Sequence, residues 1–351
     1  MIRWMCVFLL IAGSDSSGRT VSDETVRRLD RNHDGRISLE EFYPTGPAPL
    51  HPRMKQVFDS LDTEASGTLS FKDTAKAIET VRGNLPKFSP DLAGTLNPVH
   101  LKVHPGTKRA FVSARVNGVT GVFLLDTGTS DTIITPDFAK RAKVDFVEIC
   151  MRITAGNVGP IGDFVSLVRV PDLEMGDLHF RDFHAIVRES KLSTYEIGSS
   201  IDGVLGANLI FAKPITIDIR NQCLTFTDAP PPQFDYELSL SGDDKTAIVD
   251  ADIDGLKVPL LFDSGAALNG ALLINEPHHE AIRKLANDPE ARTYIAKEVR
   301  ACGQVLDADK RCLLRPFQRS VIDSVFFDRH VIHVDTAQQK VWVKRNPPEQ
   351  P

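Results

Sequence analysis

Two short segments of this 351-residue chain carry the residue types needed for hydrolysis by paired carboxylates. One reads Asp-Thr-Gly at residues 126–128, and the other reads Asp-Ser-Gly at residues 263–265. Each follows an apolar run, with an Asn-Gly or Asp-Gly turn signal further upstream. An aspartate at the end of a buried strand, presented twice, is what a two-carboxylate hydrolytic site requires if the chain folds into two similar lobes.

The alternative is that these segments are two unrelated turns, since Asp-Ser-Gly is also a common turn sequence. A single copy would arise by composition on the order of 0.1 times in a chain of this length. Two copies in the same strand-and-turn context favour a repeated functional loop over coincidence.

Composition and charge restrict the class of protein. Hydrophobic residues make up 42% of the chain and charged residues 25%, which is ordinary for a globular protein of two or three domains. The net charge of -6 offers no basic surface, so we expect no nucleic-acid partner. After the N-terminus no apolar run is long enough to cross a bilayer, and we expect a monomer without a transmembrane span.

The N-terminus has the pattern of an export signal. One arginine precedes a short apolar run at residues 5–12, and small residues follow it. We predict a signal peptide over residues 1–17 and export to the periplasm, cell surface or medium; the alternatives are a misassigned start codon or a buried N-terminal segment. The remaining cysteines suit either disulfides or free thiols; they are Cys150, Cys223, Cys302 and Cys312.

Residues 30–41 match a calcium-binding loop of the EF-hand family at every diagnostic position. Oxygen donors stand at positions 1, 3 and 5, a glycine at position 6, a carbonyl donor at position 7 and a glutamate at position 12. The predicted ligands are Asp30, Asn32, Asp34, Arg36 and Glu41. The alternative, a solvated acidic turn, does not account for so complete a match.

A second, weaker loop occupies residues 62–73. Serine replaces an acid at position 5, and aspartate replaces glutamate at position 12, so we expect lower calcium affinity or more room for magnesium. The predicted ligands are Asp62, Glu64, Ser66, Thr68 and Asp73. The two loops predict a small all-α EF-hand pair over residues 18–84, followed by a Pro-rich linker over residues 85–98.

From residue 99 onward, short strands and turns predict a mainly β region in which the chain repeats itself. The first unit contains the Asp-Thr-Gly segment and a later Val-Leu-Gly at 204–206. This pattern resembles the aspartic proteases of the pepsin and retropepsin type, and especially bacterial two-repeat retropepsin-like proteins. The resemblance implies a two-lobed acid protease domain over residues 99–351, with lobes at 99–231 and 244–346.

The resemblance also implies roles for the residues of both loops. Asp126 and Asp263 would be a catalytic pair that hydrolyses polypeptides without a metal in the protease site. Four neighbours would support the loops, the hydroxyl residues as braces and the glycines by allowing close approach; they are Thr127, Gly128, Ser264 and Gly265. The glycine-rich segment 155–162 is a candidate flap over the site.

The second unit departs from this pattern. It has Val-Ile-Asp at 321–323 where Val-Leu-Gly is expected, and it is shorter than the first unit. A charged stretch at 276–300, which we expect to be helical, has no evident counterpart. Two functions therefore stay open, namely an exported calcium-binding aspartic endopeptidase and a non-catalytic calcium-dependent binding or scaffold protein with a degenerate pepsin-like fold.

Overall fold

The computed structural model describes residues 10–11, 30, 32–42, 58–74, 91–156, 159–187, 201–227, 233–241, 246–315 and 319–347. Most of the expected signal peptide and of the EF-hand helices, and the start of the expected linker, lie outside these residues. In the part that is described, no helix is both long and apolar enough to cross a membrane.

Strands dominate the described residues. They are β1 (Leu10–Ile11), β2 (Arg36–Ser38), β3 (Thr68–Ser70), β4 (Asp91–Gly94), β5 (Val99–His100), β6 (Lys102–Val103), β7 (Ala110–Val116), β8 (Val119–Leu125), β9 (Ile133–Ile134), β10 (Asp145–Gly156), β11 (Gly159–Met175), β12 (Leu178–Val187), β13 (Gly203–Leu205), β14 (Ile215–Asp218), β15 (Cys223–Phe226), β16 (Tyr236–Ser239), β17 (Ile248–Ile253), β18 (Leu256–Phe262), β19 (Leu272–Ile274), β20 (Thr293–Ala301), β21 (Gln304–Leu314), β22 (Ser320–Ile322), β23 (His330–Asp335) and β24 (Lys340–Arg345). The helices are α1 (Leu39–Phe42), α2 (Pro136–Ala142), α3 (Ala207–Ile210), α4 (His279–Ala286) and α5 (Ser324–Arg329), with a 3-10 turn at Glu276–His278.

The expected fold class, with a small all-α unit before the β region, is wrong. The described N-terminal residues contain an antiparallel pair of strands, β2 and β3, in which Ile37 lies opposite Leu69. Both side chains are buried, and helical residues at 39–42, 58–61 and 71–74 lie beside the strand pair. Residues 36–38 and 68–70 leave their turns in an extended conformation, and pairing satisfies their backbone groups. The chain is therefore mostly β, with this small sheet in its N-terminal part.

Two large β units follow, and they share one pattern of strand pairing. In the ten-stranded sheet, β11 also pairs with β7, which closes β7-β8-β13-β9-β12-β11 into a ring. The second unit is a closed barrel with the order β17-β18-β22-β19-β21-β20. Parallel and antiparallel pairs fall at matching places in both rings. We call residues 110–226 the first repeat and residues 248–345 the second repeat.

The charged stretch 276–300 does have a counterpart, contrary to expectation. Helix α4 follows β19 as α2 follows β9, and β20 takes the place of β11. Only the first part of the stretch is helical, because the alternation of buried and exposed side chains from Thr293 onward suits a strand. The first repeat is longer because it contains an additional strand, β10, that pairs with β11.

A six-stranded sheet joins the repeats, with the order β16-β24-β23-β14-β15-β5. Strand β14 of the first repeat pairs with β23 of the second, and Thr216 lies opposite His333. One hydrophobic cluster contains buried residues from both repeats. Within it, Phe138 of α2 packs edge-on against Phe123, and Phe326 of α5 packs edge-on against Phe262. These contacts hold a helix against the strand that leads to each aspartate.

Three cysteines with described side chains are free thiols, namely Cys223, Cys302 and Cys312. Cys312 is fully buried, and burial raises the pKa of its thiol to about 12. The sequence left disulfides and free thiols as alternatives, and these three cysteines are free thiols.

Candidate active site

Each aspartate leaves the end of a strand that is held by a parallel neighbour. Leu125 of β8 lies beside Leu205 of β13, and the Asp126 amide donates to the Leu205 carbonyl at 3.1 Å. In the second repeat the Asp263 amide donates to the Ile322 carbonyl at 3.0 Å. The two aspartates therefore begin their loops from equivalent backbone positions.

Hydroxyl side chains tie the two loops together. The Thr127 hydroxyl donates to the Phe262 carbonyl at 2.7 Å, and its oxygen accepts from the Ser264 amide at 3.0 Å. In return, the Ser264 hydroxyl donates to the Leu125 carbonyl at 2.9 Å and accepts from the Thr127 amide at 3.2 Å. Thr127 and Ser264 are both buried. This reciprocal arrangement fixes the position of one loop relative to the other.

The loop glycines allow the carboxyl groups to meet. A Cβ atom on Gly128 would lie closer than 3.0 Å to the carboxyl carbon of Asp263. A Cβ atom on Gly265 would overlap the carboxyl carbon of Asp126 in the same way. Each aspartate thus packs on the glycine of the opposite loop, which brings the two carboxyl groups close together.

The hydrogen bonds around the carboxyl groups are similar but not identical. Asp126 Oδ1 accepts from the Gly128 and Thr129 amides at 2.9 and 3.1 Å. Asp263 Oδ1 accepts from the Gly265 and Ala266 amides, both at 2.9 Å. The Thr129 hydroxyl also donates to Asp126 Oδ2 at 2.9 Å. Alanine at 266 has no hydroxyl to do the same for Asp263.

This difference separates the proton affinities of the two carboxyls. Burial raises the pKa of Asp126, while the Thr129 hydroxyl and the Gly128 amide oppose the rise. Burial also raises the pKa of Asp263, and the neighbouring charge of Asp126 adds to the rise. The positive charge of Arg109, a buried residue, lowers the pKa of both. Because the Thr129 hydroxyl stabilises the ionised form of Asp126, a single shared proton favours Asp263.

The candidate flap, residues 155–162, lies at the turn of the β10–β11 hairpin. Gly156 is paired with Gly159 across the turn, and residues 157–158 lie outside the described part of the chain. The backbone of Leu10–Ile11 pairs with residues 154–155 of β10.

The first acidic loop has its carboxylates turned inward. Asp30 accepts from the Asp34 and Gly35 amides at 3.1 and 2.9 Å. Glu41 accepts from the Asn32 amide at 3.1 Å and from the amide of the loop's ninth residue at 2.9 Å. Asp30 and Glu41 are each only 5% exposed. The backbone amides of the loop thus point toward its own carboxylates. The side chains and the carbonyl predicted to bind metal all offer oxygen atoms, which calcium prefers.

The second acidic loop is more open. Asp62 accepts from the Ser66 and Gly67 amides at 2.9 and 2.6 Å. Glu64 is exposed, and Asp73 accepts from a serine hydroxyl within the same turn.

An arginine from the first loop reaches into the second. The Arg36 guanidinium donates to the Ser66 hydroxyl oxygen at 3.1 Å and to the Thr68 carbonyl at 3.4 Å. It also contacts the Thr68 hydroxyl. A positive charge thus lies against two of the predicted ligands of the second loop, Ser66 and Thr68.

Sequence reasoning did not identify Thr129, Arg109 or Asp323 as parts of the site. Thr129 directly follows the Asp-Thr-Gly segment, so the sequence alone could have indicated that its hydroxyl donates to Asp126. The contribution of Arg109 depends on packing between distant segments. Asp323 appeared only as a departure from the expected glycine.

The sequence model of the aspartyl protease family matches residues 112–209. This range includes Asp126 and the Val-Leu-Gly segment of the first repeat, and it ends before Asp263. A 16 kDa calcium-binding protein of Schistosoma mansoni is 38% identical over 66 residues, which are 17% of this chain and 46% of that protein. This chain thus spans about half of the relative's length. The family match supports a protease-type function with a polypeptide substrate.

Proposed function

We propose that this chain is a calcium-binding aspartic endopeptidase in which Asp126 and Asp263 share one proton and activate water. The observation that carries the proposal is the contact between the two carboxyl groups, each seated on the glycine of the opposite loop. Two neighbouring carboxylates that share one site cannot both ionise easily, so one holds a proton while the other acts as a base.

The different surroundings of the two carboxyls suggest their roles. Asp126, stabilised in its ionised form by Thr129, takes a proton from water as the water oxygen bonds to the peptide carbon. Asp263 gives its proton to the carbonyl oxygen. Asp126 then passes its proton to the peptide nitrogen, the carbon–nitrogen bond breaks, and the proton on the former carbonyl oxygen returns to Asp263. The site is restored, and one water has been consumed.

The non-catalytic alternative has less support. A degenerate second repeat would hold Asp263 too far from Asp126 for the two to act on one water. Instead, the two loops are joined by reciprocal hydrogen bonds through Thr127 and Ser264. This geometry favours an enzyme.

The protease proposal is tested by cleavage of an unfolded protein at acidic pH. We expect cleavage by the natural chain and a loss of at least about 1000-fold in kcat for Asp126→Asn and for Asp263→Asn, because each removes a group that transfers a proton. Asp137→Asn makes the same change on the exposed side of α2 and serves as the control. No cleavage by the natural chain, or unchanged activity in Asp126→Asn, would refute the proposal.

The calcium proposal rests on the first loop, whose donor set fits a calcium ion. Asp30 and Glu41 would hold the ion, with further oxygens from Asn32, Asp34 and the Arg36 carbonyl. The name of the Schistosoma relative adds support. The second loop fits less well, because a cation there must compete with the Arg36 guanidinium. We therefore assign it the lower affinity.

Calorimetry with calcium separates the two loops. Asp30→Ala is expected to remove the tighter binding step, while the matched change Asp62→Ala removes only the weaker one. Unchanged titration of Asp30→Ala would contradict the assignment of the first loop.

We also propose that residues 1–17 direct export and are removed, on the basis of the sequence pattern alone. Sequencing the N-terminus of protein recovered outside the cytoplasm tests this. A mature protein that retains residue 1 in the cytoplasm would contradict it. The proposed divisions are 18–84 for the two loops, 85–98 for a linker and 99–351 for the protease region.

A further inference from the structure

The residue that follows the supporting strand differs between the repeats. Gly206 stands after β13, and Asp323 stands after β22. The backbone conformations are nearly equal, with φ and ψ of −91° and 173° at Gly206 and −92° and 178° at Asp323. A Cβ on Gly206 would lie closer than 3.0 Å to the Asp131 and Thr129 backbone. The second repeat accommodates a side chain at the same backbone position, so its loop must run differently.

Asp323 fills that space and holds the loop. The residue is fully buried, and its Oδ2 accepts from the Leu268 amide at 3.1 Å and the Gly270 amide at 2.8 Å. Between these amides, Asn269 has a φ of 54°, and Gly270 has a φ of 80°. Asn-Gly is the residue pair that most readily adopts two successive left-handed conformations, so the sequence suits this turn. One carboxylate oxygen of Asp323 accepts hydrogen bonds on both sides of Asn269 and fixes where the turn lies.

Three consecutive residues hold the loop of Asp263 along its length. The Ile322 carbonyl accepts from the Asp263 amide, and the Ser324 amide donates to the Ala266 carbonyl at 3.1 Å. Asp323 stands between these two residues and holds the far end of the loop. The segment 322–324 thus acts as a continuous support under the loop that carries the aspartate.

The first repeat uses another residue for the same purpose. Asn208 Oδ1, on helix α3, accepts from both the amide and the hydroxyl of Thr132 at 2.8 Å. The Thr132 hydroxyl in turn accepts from the Gly206 amide at 3.2 Å. Two residues after Asp323, the second repeat has Val325, which has no acceptor in its side chain. The acceptor side chain lies on helix α3 in the first repeat and directly after strand β22 in the second.

We propose that Asp323 is a positioning residue that sets the place of Asp263 by accepting hydrogen bonds from the Leu268 and Gly270 amides. The inference rests on the proposed function of the aspartate pair. Asp323 acts through its acceptor oxygen, so an amide side chain of the same shape should replace it. A glycine should not, although glycine is what the first repeat has at this position.

The kinetic test compares Asp323→Gly with Asp323→Asn in the full chain. We expect Asp323→Gly to lower kcat about 10- to 100-fold with KM changed less than about twofold, because a displaced loop harms the chemical step more than substrate binding. Asp323→Asn should stay within about threefold of the natural chain. If Asp323→Gly does not fold, Asp323→Ala, which keeps a Cβ but no acceptor, takes its place.

Hydrogen exchange tests the same inference without any need for proteolysis. Exchange at the Leu268 and Gly270 amides should become at least about tenfold faster in Asp323→Gly and change much less in Asp323→Asn. Asn208→Ala is the matched control, because it should release the Thr132 amide and leave these two protected.

The outcomes separate the two proposals. A natural chain that does not cleave, together with the expected exchange pattern, refutes the protease and keeps the support role of Asp323. The role of Asp323 is overturned if Asp323→Gly keeps both its cleavage activity and the protection of the Leu268 and Gly270 amides from exchange. It is also overturned if Asp323→Asn loses as much activity as Asp323→Gly.

Discussion

The loops of the two aspartates are equivalent near their start and different further along. Strand pairing, reciprocal hydroxyl bonds and the facing glycines are the same in both. Beyond the glycine, Thr129 is replaced by Ala266, and the support from Asn208 is replaced by that from Asp323. The shared part brings the carboxyl groups together. In the differing part, the Thr129 hydroxyl acts on the proton affinity of Asp126, while the proposed role of Asp323 is to position Asp263. A departure from a motif in one repeat therefore need not mean that the repeat has lost its role.

Among variants that keep both aspartates, the largest expected effect concerns the part that the loops share. Gly128→Ala and Gly265→Ala each place a methyl group where the opposite carboxyl lies, so both should separate the pair. We expect each variant to lose on the order of 100-fold or more in kcat. Steady-state cleavage assays check this. A large loss in one variant and none in the other would show that the two loops are not equivalent at this point.

The hydroxyl braces should also be equivalent, with a smaller effect measured in stability. Thr127→Ala leaves the Phe262 carbonyl without its hydroxyl donor, and Ser264→Ala does the same to the Leu125 carbonyl. Each loss of a buried partner should cost about 1–3 kcal/mol in the free energy of unfolding. Urea unfolding measures it.

The conservative exchanges Thr127→Ser and Ser264→Thr are the controls for the braces, and each should retain most of the stability. The double alanine variant should lose less than the sum of the single losses, because both hydroxyls belong to one network. Full additivity would mean that the two hydroxyls act independently.

The sequence predicted the features of these loops that depend on neighbouring residues. Asp126 and Asp263 each follow an apolar strand, so their place at strand ends was readable locally. The pairing of β20 with β17, which closes the barrel, links residues far apart in the chain, and the charged residues of 276–300 alone suggested a helix. In the same way, the partners of Asp323 lie 55 and 53 residues away, and nothing local indicates them.

The error at the N-terminus has a different physical cause. The turn residues of both acidic loops were identified from their spacing, but the three residues after each turn were assigned to no strand. Ile37 and Leu69 are buried opposite one another, so the loops are joined by a sheet rather than by helices alone. Ile37 and Leu69 each hold the eighth position of their loop, so the spacing does indicate that the two loops pair; the wrong step was to class the whole unit as all-α.

The aspartates themselves should differ in how they affect stability with pH. Burial raises the pKa of Asp263 in the folded state above its unfolded value, so the unfolded chain ionises first as pH rises. The contribution of Asp263 to folding stability is therefore fully present below its pKa in the unfolded chain, and it is lost as the pH rises through its pKa in the folded state. Asp263→Asn removes this loss and should raise Tm at neutral pH, with little gain below the pKa of an unfolded aspartate, about 3.9.

Thermal melts across this pH range measure the effect, and Asp126→Asn is the comparison. Its gain at neutral pH should be smaller, because the Thr129 hydroxyl opposes the rise in the pKa of Asp126, and Ala266 supplies no hydroxyl to Asp263. An equal gain in both variants would show that the surroundings do not distinguish the two carboxyls.

The smallest expected effect comes from the single hydroxyl that distinguishes the loops. Thr129→Ala removes a donor to Asp126, which should raise the pKa of that carboxyl and move the acidic limb of the pH–rate profile upward. Ala266→Thr supplies Asp263 with the missing donor, which should lower its pKa and move the upper limb downward. Both variants should therefore narrow the pH range in which the enzyme is active, Thr129→Ala at its acidic end and Ala266→Thr at its upper end. If both limbs move together in either variant, the proton belongs to the pair as a whole, and the hydroxyl does not decide which carboxyl holds it.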